Sequence, residues 1–196
     1  MDIIKTTLKK LKKQTNILIV CSEESFSLPM EFSADELKYI ESRRKDKKEI
    51  IKINRYKCII LIAIVSENSD IYNKRDESRK IMAKCCDSFC DEKIYSFSLI
   101  DSAKDKNITE GLIEGAFISN YRFNKYFKNK DENKSIKLIE LISENISSKE
   151  LDEYSVLFDG IYFARDMVNE PVIQLNSEVF AKNLKEKLSI PGVKLS

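Results

Sequence analysis

The residue types that could do chemistry in this chain are limited by the absence of histidine among its 196 residues. Histidine is the usual general base for serine and cysteine nucleophiles and a common metal ligand. Its absence excludes the usual Ser and Cys triads and every zinc site that includes histidine. Chemistry based on carboxylates and lysine is the kind that remains open.

Carboxylates alone could hold metal ions only if several of them converged on one pocket. The acidic residues fall mostly on predicted exposed helix faces or in loops, which is the ordinary pattern of solvated charge. Examples are Glu23, Glu24, Asp35, Glu36, Asp131 and Glu132. We therefore predict no catalytic, cofactor-binding or metal-binding residue in this chain.

The cysteines are odd in number and irregularly spaced. They are Cys21, Cys58, Cys85, Cys86 and Cys90. A secreted disulfide framework would be even and regular, and a zinc site would show Cys-x-x-Cys pairs. Cys85 follows Ile81 by four residues and precedes Phe89 by four, so the three share one face of a predicted helix. We expect Cys85 to be a small buried side chain rather than a reactive thiol.

Glycine is scarce, and the four glycines are too scattered to form a loop around a phosphate group, which needs clustered glycines. They are Gly111, Gly115, Gly160 and Gly192. Two pairs of small residues, Gly111 with Gly115 and Gly160 with Ala164, are each spaced four apart. On a helix this spacing puts both residues on one face, so we interpret both pairs as close-packing seams.

The net charge of +2 is nearly balanced. One basic patch lies near the N-terminus, at Lys5, Lys9, Lys10, Lys12 and Lys13. It has no interleaved aromatic residues, so we interpret it as a solvated face and expect no nucleic-acid partner. The longest apolar run, Cys58–Val65, is shorter than the ~20 residues that cross a bilayer, and the N-terminus lacks a secretory signal. We expect a cytoplasmic protein with no membrane partner.

Apolar runs and alternation predict strands in the first three-quarters of the chain. The predicted strands are Ile17–Cys21, Ile51–Ile53, Cys58–Val65, Tyr95–Leu99 and Ile136–Ile142. The segment from Ile3 to Leu11 fits a strand and a short helix equally. Alternation in 51–53 indicates an edge or half-buried strand, whereas the unbroken run of 58–65 indicates a strand covered on both faces. In 95–99 we expect Tyr95, Phe97 and Leu99 on one face of the strand and Ser96 and Ser98 on the other.

Apolar residues at helical spacing predict five helices between and after these strands. They begin at about Ser33, Arg75, Ile108 and Ser148, and after an Asn176 cap. Ser33 and Glu36 form a capping-box pattern, and 124–134 is expected to be a polar loop. The order of elements predicts an α/β fold with helices on both faces of the sheet.

We place the domain boundary near Lys149. Residues 1–148 form the predicted α/β domain, and 149–196 form a helical connector that ends in the first residues of a new strand. The last four residues, 193–196, fit the start of that strand, so we expect a truncated second domain.

Two motifs resemble the leucyl aminopeptidase (cytosol aminopeptidase) family. The first consists of Glu114-Gly115, Tyr121-Arg122-Phe123, Tyr126 and Lys128. The second runs from Gly160 to Pro171 (Gly-Ile-Tyr-Phe-Ala-Arg-Asp-Met-Val-Asn-Glu-Pro) and is followed by Leu175 and a capped helix. The sequence departs from the family at Val172-Ile173, where a small residue or proline and an asparagine are usual, and at Asn176-Ser177, which is commonly Thr-Pro.

The resemblance implies an N-terminal domain similar to macro domains, a mixed sheet between helices. It also implies a parent peptidase that removes N-terminal residues from peptides with two divalent ions (zinc or manganese), usually as a hexamer. The family's metal ligands lie in motifs of the types Gly-Ile-Thr-Phe-Asp and Asn-Thr-Asp-Ala-Glu-Gly-Arg, and neither occurs before Ser196. We therefore expect this chain to be an inactive domain that serves assembly and active-site access, beside its own catalytic domain.

Two alternative functions remain open. One is a macro-type module that binds ADP-ribose or nucleotides, although the chain lacks the glycine loops for this. The other is a DNA-binding domain, although the chain lacks a strong basic surface. We interpret Tyr121, Arg122 and Phe123 as structural, with Phe123 under the sheet and Arg122 paired with a carboxylate. We also expect Phe158 and Phe180 to be partly uncovered.

Overall fold

The computed structural model describes residues 3–6, 15–66, 70–128 and 135–189. The chain forms two compact units, Met1–Val156 and Leu157–Ser196, called here the first and second units. The described strands are β1 (Ile4–Thr6), β2 (Ile17–Ser22), β3 (Ile50–Asn54), β4 (Ile59–Val65), β5 (Ser96–Asp101) and β6 (Leu138–Ile142). They form one sheet in the order β1-β6-β5-β2-β4-β3. Neighbours are parallel except for β3, which is antiparallel to β4, so the predicted mixed sheet is confirmed.

The described helices are α1 (Ala34–Lys45), α2 (Ile71–Asp91), α3 (Lys106–Asn120), α4 (Ser148–Asn169) and α5 (Ser177–Lys187). Helices α2 and α3 begin earlier than the apolar periodicity predicts. In α2 the carboxylate of Asp70 accepts from the Tyr72 amide at 3.0 Å, and in α3 that of Asp105 accepts from the Asn107 amide at 2.8 Å. These caps start each helix before its first buried residue.

Helices cover both faces of the sheet. On one face, Ile40 of α1 packs in a cluster with Ile19 of β2 and Ile62 of β4. On the other face, the ring of Phe89 in α2 stacks on Phe97 of β5 with centroids 4.4 Å apart. Burial of side chains of this size contributes about 1.5 to 3 kcal/mol each, so the two layers are the main source of stability.

Strand β5 lies in the middle of the sheet, between β2 and β6. Ser98 is buried there, and its hydroxyl lies 3.3 Å from a carboxylate oxygen of Glu140 on β6. The predicted edge or half-buried strand is confirmed, since β3 lies at the edge of the sheet and its Ile51 and Ile53 are buried while Lys52 is exposed.

Several predictions concern residues outside the described ranges. These are the lysines at positions 9 to 13, the acidic pair at 131 and 132, and the C-terminal segment from position 190. The ambiguous first segment is a strand at Ile4–Thr6. Within the described ranges, none of the helices combines the length and the apolar character needed to cross a membrane.

Candidate functional site

The first family-like motif lies on α3, where it faces α2. A Cβ atom added at Gly115 would lie 2.6 Å from the carbonyl oxygen and 2.8 Å from the Cα of Arg79. One added at Gly111 would lie 2.6 Å from the carbonyl oxygen of Arg75 and 2.7 Å from the Cβ of Ser78. The two helix backbones therefore approach too closely for any side chain at these positions, which confirms the predicted seam.

Beside the seam, charged and polar side chains form what we call the α2–α3 clasp. Its members are Arg75, Arg79, Glu110, Glu114 and Tyr154. The Glu114 carboxylate accepts from the guanidinium groups of both arginines, and its side chain is only 12% exposed. Arg75 also binds the Glu110 carboxylate at 3.0 Å and donates to the Tyr154 hydroxyl at 3.0 Å.

The clasp is suited to holding helices together rather than to chemistry. Hydrogen bonds to Glu114 raise the pKa of the Arg75 guanidinium, which therefore stays charged. Burial raises the pKa of the Tyr154 hydroxyl, so it stays protonated as well. Both carboxylate oxygens of Glu114 accept from a guanidinium, so the carboxylate is not free to bind a metal ion or a substrate.

The rest of the first motif closes the C-terminal end of α3. The guanidinium of Arg122 donates to the carbonyl oxygens of Ser119 at 2.5 Å and Tyr121 at 2.9 Å. In the described part of the chain Arg122 therefore caps carbonyl groups at the end of α3. The predicted carboxylate partner is not what it binds there. Phe123 is half-buried, and its ring centroid lies 5.9 Å from that of Tyr126.

A polar cluster that the sequence did not indicate lies where β5 and β6 end. One carboxylate oxygen of Asp101 accepts from the hydroxyl of Ser143 at 2.9 Å, the amide of Asn145 at 2.9 Å and the hydroxyl of Thr109. The other oxygen accepts from the backbone amide of Ala103 at 3.1 Å. With its acceptor sites occupied in this way, Asp101 links two strand ends to α3 and offers no free base.

A cleft of about 430 Å³ opens at the carboxyl ends of β2 and β4, and we call it the β2–β4 cleft. It is lined by Glu23, Glu41, Arg44, Lys45, Lys47, Lys48, Glu49, Ile64 and Ser66. Sequence reasoning missed this site because its walls come from three separate segments. The volume is in the range of small-molecule sites, although the lining is mostly charged.

The buried thiols have no nucleophilic role. Cys85 is fully buried on α2, which confirms the prediction, and burial raises its pKa. Burial also raises the pKa of Cys86 to about 12 and that of Cys21 to about 11. Thiols with such pKa values are protonated at neutral pH, and the protonated form is a poor nucleophile.

The described residues do not fit a two-metal centre. Within the described ranges, no three side chains of the His, Cys, Asp and Glu types come together in a way that could hold a metal ion. A site that binds two divalent ions needs converging carboxylates. Glu114 and Asp101, the carboxylates with the most contacts described above, are committed to arginine, hydroxyl and amide donors.

The second family-like motif forms the end of α4 and the turn after it. Helix α4 ends at Asn169, just before Pro171, and the side chain of Asn176 caps α5 by accepting from the Val179 amide at 2.9 Å. A Cβ added at Gly160 would have no described atom within 4 Å. The predicted seam at this glycine is therefore wrong.

The comparisons with known proteins identify the class that this chain resembles, which is the cytosol (leucyl) aminopeptidases, as the two motifs predict. A probable cytosol aminopeptidase of Clostridium tetani is 34% identical over 106 residues, which is 51% of this chain and 22% of that protein. One of Clostridium perfringens is 25% identical over 188 residues, which is 86% of this chain and 37% of that protein. The chain thus spans about a fifth to two fifths of these relatives' length. No model of a protein family matches it.

Solved structures of the same class share the fold. A variant of tomato leucine aminopeptidase superimposes with a TM-score of 0.70 at 10% identity, covering 95% of this chain and 42% of that chain. The leucyl aminopeptidase of Trypanosoma cruzi gives a TM-score of 0.53 at 14% identity, covering 89% of this chain and 37% of that chain. The predicted α/β architecture is therefore confirmed by structures as well as by the sheet itself.

Proposed function

We propose that this chain is the non-catalytic N-terminal domain of a leucyl-aminopeptidase-type metallopeptidase. The observation that carries the proposal is partial similarity: the relatives are named cytosol aminopeptidases, and the chain matches only part of each. The geometry supports it, because the Glu114-Gly115 motif is used in helix packing and the described residues do not fit a metal centre.

In this proposal residues 1–148 form a macro-like domain and residues 149–196 form a helical connector to a catalytic domain. That domain would hold two divalent ions, zinc or manganese, and would remove N-terminal residues from peptides in the cytoplasm. The parent enzyme would be a homo-hexamer. The domain described here would contribute to assembly and to access to the active site, and would not itself hydrolyse peptides.

A hybrid enzyme tests the proposal. The segment of the Clostridium perfringens relative that matches 86% of this chain is replaced by the corresponding residues of this chain, and leucyl-p-nitroanilide hydrolysis is measured with manganese present. We expect an assembled enzyme with activity within about tenfold of the parent, since the exchanged part makes no contact with reacting atoms.

The control is the same hybrid with Gly115→Leu, which cannot pack α3 on α2 and should lose assembly and activity together. A well-folded hybrid of the unmutated chain that neither assembles nor hydrolyses the substrate would contradict the proposal.

A further inference from the structure

The β2–β4 cleft lies at a position where open α/β sheets bind ligands. Strands β2 and β4 are parallel neighbours, and both run toward the cleft, since Glu23 follows β2 and Ser66 follows β4. Ligands of such sheets bind in crevices outside the carboxyl ends of the strands. The half-buried side chain of Ile64 gives this cleft one apolar lining residue.

The charges in the cleft leave an excess of positive charge. Two of its three glutamates are already neutralised by lysine. Lys45 lies 3.3 Å from the Glu41 carboxylate, and Lys84, from outside the cleft, lies 2.5 Å from that of Glu49. The remaining cations are Arg44, Lys47 and Lys48, and they face one further carboxylate, Glu23. Neither Lys47 nor Lys48 forms an ion pair with another described residue.

The position of one cationic group is fixed by an aromatic contact. The guanidinium carbon of Arg44 lies 3.7 Å from the centroid of the Phe26 ring. Cation–π contact of this kind holds the planar group in place and leaves its N–H donors available at the edges. The cleft therefore presents at least one pre-oriented donor that suits a carboxylate or a phosphate.

The second cationic group lies in a backbone conformation that glycine usually adopts. Lys47 has φ 52°, and it closes α1 in a Schellman motif in which its amide donates to the Arg44 carbonyl and the Lys48 amide donates to that of Arg43. Lys93 has φ 58° and closes α2 in the same motif, but it is not among the residues of the cleft. Lys47 and Lys93 thus have the same backbone conformation in the same motif, but only Lys47 lines the cleft.

We propose that the β2–β4 cleft binds a small anion with two or more negative charges, carried by carboxylate or phosphate groups, through Arg44, Lys47 and Lys48. The proposal goes beyond the role in an aminopeptidase and does not depend on it. Side chains rather than backbone amides supply the donors, so binding is weak, in the millimolar range, and falls as salt is added.

The test is a titration of the 196-residue chain with citrate and with pyrophosphate, followed by amide chemical shifts at low ionic strength. Citrate carries carboxylates and pyrophosphate carries phosphates, so the tighter probe identifies which of the two groups the cleft prefers. We expect shifts at Arg44, Lys47 and Lys48 with one or both probes.

The double variant Lys47→Gly, Lys48→Gln should bind the preferred probe at least about fivefold more weakly than the parent, because each substitution removes one exposed charge. It should fold, since glycine suits the backbone at position 47. Lys93→Gly relieves the same strain at the matched position and should bind as the parent does. The proposal is wrong if neither probe shifts these amides, or if the double variant and Lys93→Gly bind equally well.

Discussion

Two pairs of small residues with the same spacing have opposite surroundings in this molecule. Gly111 and Gly115 on α3 lie against the backbone of α2, with no room for a methyl group. Gly160 on α4 is followed four residues later by Ala164, yet a Cβ at Gly160 would meet no described atom within 4 Å. A four-residue spacing therefore shows that two residues share a helix face, and does not show that another element packs there.

Polar side chains also join α3 to α2 beside the first pair. Arg75 and Arg79 on α2 bind Glu114, the residue next to Gly115, and these bonds form beside the helix crossing. The combination of a small residue and a shielded ion pair with the facing helix marks a real contact.

The largest effect is expected for Gly115→Ala. The new methyl group would overlap the Arg79 backbone, which cannot move aside as a flexible side chain could. We expect a loss of about 2 to 3 kcal/mol in the free energy of unfolding, measured by urea denaturation. A loss below about 0.5 kcal/mol would mean that α2 and α3 are not in close contact.

Glu114→Gln tests how much the ion pairs between α2 and α3 contribute to stability. The change leaves the guanidinium groups of Arg75 and Arg79 close together without their shared carboxylate, so we expect a loss of about 2 kcal/mol. Glu153→Gln is the matched control, because Glu153 lies exposed on α4. Equal unfolding free energies for the two variants would show that the clasp contributes nothing.

The ion pair between Arg55 and Glu36 lies outside both pairs of small residues. It is expected to have a smaller effect on the free energy of unfolding, and one that depends on pH. Hydrogen bonds from Arg55 lower the pKa of Glu36 from 4.5 to about 2. Since the folded-state pKa is the lower one, the stabilisation is present above about pH 4.5 and is lost as the pH falls toward 2.

The variant Arg55→Gln removes this contribution. Between about pH 5 and pH 2 the parent should lose about 1 kcal/mol more unfolding free energy than the variant does. Urea denaturation at several pH values measures the difference. Parallel pH profiles for the parent and the variant would contradict the assignment.

The smallest effect is expected at the open glycine. Gly160→Ala adds a methyl group where no described atom lies within 4 Å, and alanine favours the interior of a helix. We expect a gain of about 0.5 to 1 kcal/mol in the free energy of unfolding. A loss instead of a gain would mean that another element packs against this face of α4.

Local features of this fold were predictable from the sequence, whereas distant contacts were not. The capping box is present, with the Glu36 amide 3.2 Å from the Ser33 hydroxyl, because both residues lie in one helical turn. Glu36 was nevertheless predicted to be solvated, since its partner Arg55 lies 19 residues away. The Asp101 cluster includes Asn145, which is 44 residues away, and no local pattern indicates it.

Burial of single side chains was only partly predictable from periodicity. Alternation in β5 shows which residues share a face but not how each face is covered, and Ser98 is buried with an acceptor for its hydroxyl. Phe158 is buried, contrary to our prediction, whereas Phe180 is 41% exposed as predicted. Which aromatic residue is covered depends on tertiary packing that periodicity does not specify.

The most direct test of the central claim is an aminopeptidase assay on this chain supplied with excess manganese or zinc. We expect no hydrolysis of leucyl-p-nitroanilide above the metal-only background, because the described carboxylates do not converge on a metal site and the chain has no histidine. Turnover by the metal-loaded chain that disappears on adding a chelator, and that follows the protein through gel filtration, would contradict it.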